Sequence, residues 1–162
     1  MRPNEDVGNN NVCRWIRGVS QQAEDAPDLP AVDSVTKRGT DFSLANMADR
    51  FVAVTGGGGS NEPNRISLSD AFRFDISGNK WEKLPNMNIA RHAHASSSID
   101  GNLYVFCGYH MSMQNEDIIN TIEVLDDACS ALDLIASWRI INLSPSVLPP
   151  RFFPAAAPIN DD

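Results

Sequence analysis

The sequence repeats itself. Sliding the chain by 51 residues places "DRFVAVTGG" (49–57) on "DGNLYVFCG" (100–108) and "LSDAFRFD" (68–75) on "INTIEVLD" (119–126). Asp49 meets Asp100, Val54 meets Val105, Gly57 meets Gly108 and Asp75 meets Asp126. A single offset covers two apolar bursts and the loop between them. Chains built from stacked supersecondary units behave this way, because each unit hides its apolar faces only against a neighbour.

The repeated bursts are short. "FVAV" (51–54), "AFRF" (71–74), "LYVFC" (103–107), "IEVL" (122–125) and "WRIINL" (138–143) have strand length and are rich in aromatic and β-branched residues. "DISGNK" (75–80) and "IDGN" (99–102) are turns, since Gly and Asn tolerate positive φ and Asp bonds its own backbone. "DDACSALDLIAS" (126–137) holds at most a turn or two of helix. The fold class is all-β. Residues 21–33, acidic and interrupted by Pro27 and Pro30, read as a surface connection, and "YHMSMQNED" (109–117) as an exposed loop.

A second regularity runs alongside. Trp15, Trp81 and Trp138 are each followed by a Leu-Pro pair (29–30, 84–85 and 148–149) and then by Arg38, Arg91 or Arg151. The full order is strand, Gly-Gly, strand ending in Asp, Trp, Leu-Pro-x-Met, Arg-x-x-His. It resembles the Kelch repeat, a unit of roughly 50 residues that forms one four-stranded blade of a β-propeller. The best copy runs from Phe51 to His94. The next keeps Gly108, "INTIEVLD" and Trp138, but has Cys107 for the first glycine and a longer turn between Asp126 and Trp138. "PPRFFPAAAPIN" (149–160) resembles the first strand of a further blade.

The resemblance implies about two blades with pieces of their neighbours, in a Kelch-repeat region at 35–162 after a poorly defined segment at 1–34. It also gives structural duties to the repeated residues. Gly56, Gly57 and Gly108 turn the backbone at strand ends, and Trp81 and Trp138 fill the space between blades. Asp75 and Asp126 close strands. Arg91 and His94 sit together on one face of the next strand and tie blades to each other, and Arg151 repeats Arg91. A closed propeller uses typically four to eight blades. The chain is therefore read as a fragment or truncated family member, with self-association into a ring and a degenerate remnant as the alternatives.

Net charge and cysteine usage narrow the partners. The formal charge is −8, with 13 basic against 21 acidic residues. No basic patch is ready to displace phosphate counterions, so neither nucleic acid nor an anionic membrane surface is expected. Three scattered cysteines, Cys13, Cys107 and Cys129, suit a reducing, cytoplasmic location better than a disulfide framework.

The glycine run "GGGGSNEPN" lacks the Lys-Ser or Lys-Thr of a phosphate loop, and its copy 51 residues later also ends a strand in glycine. It therefore reads as a strand-end turn. His92, His94, Cys107 and His110 offer a zinc-like donor set, but neither pair has finger spacing, so no metal or other cofactor is expected. No Gly-x-Ser-x-Gly elbow and no obvious carboxylate pair is present, and the reading is non-enzymatic. The expected function is a protein–protein interaction module of adaptor or substrate-recognition type. Its binding residues would be Arg65, Tyr109, His110 and Met113, in the equivalent loops 58–67 and 109–118. Part of a propeller enzyme acting on a small sugar or metabolite is the alternative.

Overall fold

A computed structural model describes residues 27–31, 37–38, 40–61, 64–112, 116–130, 136–142 and 144. The remainder, including Trp15, Met113, Arg151, most of segment 1–34 and all of 145–162, lies outside the described residues. Among the described residues thirteen strands appear in chain order. The first seven are β1 (Lys37–Arg38), β2 (Ser43–Met47), β3 (Phe51–Thr55), β4 (Gly58–Asn61), β5 (Asn64–Ser67), β6 (Ala71–Asp75) and β7 (Lys80–Leu84). Six more follow: β8 (Ala95–Ile99), β9 (Asn102–Phe106), β10 (Tyr109–Met111), β11 (Glu116–Ile118), β12 (Thr121–Leu125) and β13 (Trp138–Asn142). Among the described residues no helix is long and apolar enough to cross a membrane.

Two four-stranded antiparallel sheets form the body. Sheet I has the order β2-β3-β6-β7 and sheet II the order β8-β9-β12-β13. The repeat seen in the sequence fixes their registers. Val54 pairs with Phe72 in sheet I, and Val105 pairs with Glu123 in sheet II, which is the same pairing moved by 51 residues at both partners. Trp81 opposes Phe74 and Trp138 opposes Leu125, so the two tryptophans are equivalent despite the longer turn before the second.

The interior strands β3 and β6 are buried along their whole length, as strands covered on both faces must be. Alternation sorts their side chains. Ala45, Met47, Phe51, Ala53, Ala71 and Leu84 of sheet I meet Leu103, Val105, Leu125 and Trp138 of sheet II in one core. The opposite face of sheet I carries Val52, Val54, Phe72 and Phe74, and Leu29 packs there with the partly buried Trp81. Leu29 is only 5 % exposed, so this part of the 21–33 segment is a core contact and not the surface connection its composition suggested.

The connections β2–β3, β6–β7, β8–β9 and β12–β13 lie at one end of the body. The connections β3–β6, β7–β8 and β9–β12 gather at the other. There, 58–67 and 109–118 are not irregular loops. β4 pairs with β5, and β10 with β11, as two antiparallel ribbons in equivalent registers, with β1 beside β4. Polarity of the side chains concealed this, because an exposed ribbon needs no apolar alternation.

Candidate functional site

The glycine turns bring the ribbons together. Gly56 and Cys107 hold the same left-handed φ, +52° and +55°, and Gly57 and Gly108 follow at +111° and +100°. A Cβ on Gly56 would stand 2.4 Å from the Arg91 carbonyl oxygen, and one on Gly108 would stand 2.7 Å from His94 Cβ. Glycine is thus needed both for the turn and for the close passage of the 85–94 connection. Cys107 tolerates the turn at the cost of a strained backbone.

Residues 85–94 link the two sheets from both sides. Their backbone is bonded to sheet I, with Met87 N donating to Ser69 O, Arg91 N to Leu68 O, and Gly57 N to Arg91 O. Their side chains reach sheet II. Arg91 Nη2 donates to Glu123 Oε1 at 2.6 Å and Nη1 to Cys107 O at 2.7 Å. Glu123 also accepts from Asn88 N and Ile89 N. Arg91 and His94 precede β8 instead of lying on one of its faces, because the chain must first cross the glycine turns. His94 shares a 2.9 Å hydrogen bond with Thr55 of β3, and burial holds its imidazole down to about 3, with the Arg91 charge adding to the effect.

Trp138 Nε1 donates to Pro85 O, and Trp81 Nε1 to Pro27 O. The two repeated aspartates differ. Asp75 is buried, accepts from Ser77 N and Gly78 N, and is held below the usual carboxylate range by the Arg50 hydrogen bond. Asp126 is exposed and pairs with Arg139 at 3.2 Å.

Between the ribbons lies a cleft of about 280 Å³, lined by Thr40, Asp41, Gly58–Ser60, Arg65, Ile66, His92 and Met111. Ser67 of β5 fixes its floor. Its hydroxyl oxygen accepts from Met111 N at 2.8 Å, and also lies 2.8 Å from His92 Nδ1 and 3.3 Å from Tyr109 O. All three contacts are satisfied when Met111 N and His92 Nδ1–H donate to Ser67 Oγ and the hydroxyl proton goes to Tyr109 O. Burial lowers the His92 pKa, against the opposing pull of Asp41, so the ring is neutral near pH 7. The cleft therefore offers one cation, one carboxylate, a neutral imidazole and two apolar side chains.

Of the residues expected to bind, Arg65 lines this cleft, and Met113 lies outside the described residues. Tyr109 instead frames the site. Its ring meets His92 edge-on at 5.2 Å, and its hydroxyl donates to Glu116. His110 is turned to the Ala90 carbonyl, to which Nδ1–H donates at 2.7 Å. The three histidines thus face separate partners, and among the described residues no three His, Cys, Asp or Glu side chains converge. Sequence reasoning missed Glu123, Arg73, Asp41, His92 as a lining residue and Met111. Glu123 and Arg73 carried a signal, each a charge in an interior strand, Glu123 at the position where the other copy has Phe72 and Arg73 between Phe72 and Phe74.

Comparison with known proteins agrees with this geometry. The Kelch motif matches residues 54–88, from the end of β3 through the first ribbon to the Leu-Pro-x-Met segment. Kelch repeat and BTB domain-containing protein 2 of horsepox virus is 28 % identical over 88 residues. That alignment covers 53 % of this chain and 15 % of the viral protein.

Proposed function

We propose that this chain, which belongs to the Kelch-repeat family, is a protein-interaction module that grips a partner in the cleft between its two ribbons. The observation carrying this reading is the cleft itself. Its volume of about 280 Å³ lies at the small end of the roughly 300–1,000 Å³ range of small-molecule sites and has room for one or two side chains of a docked segment. Its walls are pre-ordered, because Ser67 bonds the first ribbon to the second through Met111 N. Arg, Met and aromatic residues, the types enriched at interfaces, stand together in and beside it as Arg65, Met111 and Tyr109. An adaptor or substrate-recognition role follows from family likeness, as does a cytoplasmic setting.

Site-specific photo-cross-linking tests the face. A photoreactive residue at Arg65 or Met111 is expected to capture a discrete partner, whereas one at Asn79 or Asp100, in the turns at the opposite end, captures none. Equal capture from both ends would overturn the assignment.

A further inference from the structure

Two opposite charges face the inter-ribbon cleft without meeting. Arg65 of β5 and Asp41, just before β2, both line it, yet no ion pair joins them. Among the described residues neither the guanidinium nor the carboxylate has a hydrogen-bonding partner. His92 adds a further acceptor. Its Nδ1–H is committed to Ser67 Oγ, which leaves the Nε2 lone pair without a partner among the described residues. Burial lowers the His92 pKa, so the ring keeps that lone pair at pH 7. The backbone holds these residues in place. Asp41 O accepts from Ala93 N at 2.8 Å, which ties Asp41 to the segment carrying His92, and Arg65 is paired with Ser60 across the first ribbon.

We infer that the cleft takes a carboxamide side chain, glutamine or asparagine, from the docked segment, an inference that rests on the cleft being the docking face. Arg65 and Asp41 cancel and the imidazole is neutral, so the lining has no net charge for an ion to neutralise. A carboxylate would be served by Arg65 but would face the Asp41 carboxylate and the Nε2 lone pair. An ammonium or guanidinium group would suit those two acceptors but would face Arg65. A carboxamide meets both needs. Its carbonyl oxygen accepts from Arg65, and its two N–H groups match the two acceptors, Asp41 and His92 Nε2. A backbone amide brings one N–H and a hydroxyl one O–H, so either leaves an acceptor unserved. Ile66 and Met111 supply apolar surface for the methylenes. Selectivity follows because a mispaired polar group costs more than a matched one gains.

Titration of the isotope-labelled full chain with three acetylated and amidated tripeptides, Ala-Gln-Ala, Ala-Glu-Ala and Ala-Lys-Ala, tests this. At pH 7.5 the Gln probe should shift the backbone amides of Asp41, Gly59 and Met111, and should bind about fivefold or more tightly than either charged probe. Asp41→Asn keeps a residue type that tolerates φ +63° and exchanges a pure acceptor for a group that also donates. In that variant the preference for Gln over Glu should fall by about threefold or more. Equal or tighter binding of a charged probe, a Gln preference untouched by Asp41→Asn, or no shift at the cleft amides would each overturn the inference. The docking face itself is judged separately. Partner capture from Arg65 or Met111, together with equal affinities for the three probes, would remove the carboxamide and keep the face.

Discussion

Arg91 and Glu123 form an ion pair at 2.6 Å with neither side chain exposed to solvent, and the pair joins the 85–94 connection to the middle of sheet II. Burial depresses the Arg91 pKa, and Glu123 offsets that cost. Removing one partner leaves an uncompensated buried charge. Glu123→Ala is expected to lower stability by about 3–5 kcal/mol in urea denaturation. The double variant Arg91→Met, Glu123→Leu should lose less than the sum of its single substitutions, as a double-mutant cycle would read.

Acid should weaken the fold well above the range where carboxylates protonate. His94 is neutral in the folded chain down to about 3 but takes a proton near 6.5 once unfolded. Between those values the unfolded state binds the extra proton, so stability falls as pH drops below 6.5. The lowered His92 acts in the same direction. The slope from His94 approaches about 1.4 kcal/mol per pH unit, and thermal melts between pH 7.5 and 4.5 should show it. In His94→Asn the slope should be shallower, although the variant is less stable at neutral pH.

Glycine substitutions separate backbone strain from collision. Gly101, at φ +78°, has nothing within 4 Å of an added Cβ, whereas Gly56 would drive one to 2.4 Å from a carbonyl oxygen. Gly101→Ala should cost about 1 kcal/mol from conformation alone. Gly56→Ala should cost at least about twice that, with loss of the ordered 85–94 connection visible in amide exchange.

Arg73 reaches across the sheets from β6. Its Nη1 donates to Ala128 O and Cys129 O, its Nε bonds Glu82, and its guanidinium lies 4.4 Å from the Phe51 ring centroid. A lysine cannot reproduce that fork. Arg73→Lys should lose about 2 kcal/mol, and thiol labelling of the half-buried Cys129 should quicken as the 126–130 turn loosens.

The strands were legible because their signal is local. Val54 and Val105, or Asp75 and Asp126, keep their spacing under one offset, and register follows from spacing. The glycine turns were legible for the same reason. The ribbons were not, since residues such as Ser60, Arg65 and Glu116 are polar and carry no apolar periodicity. The cleft was only half legible. Arg65 stood out by type, but Asp41, His92 and Met111 come from three distant stretches that meet through the glycine turns.

The central claim is that the inter-ribbon cleft is the binding face, and it is tested most directly by partner affinity measured alongside stability. For a partner captured through Arg65, the variant Arg65→Ala, Met111→Ala should weaken binding at least tenfold with an unchanged melting temperature, while Lys80→Ala at the far end leaves binding intact. Unchanged affinity in the cleft variant, or an equal loss from Lys80→Ala, would contradict the account.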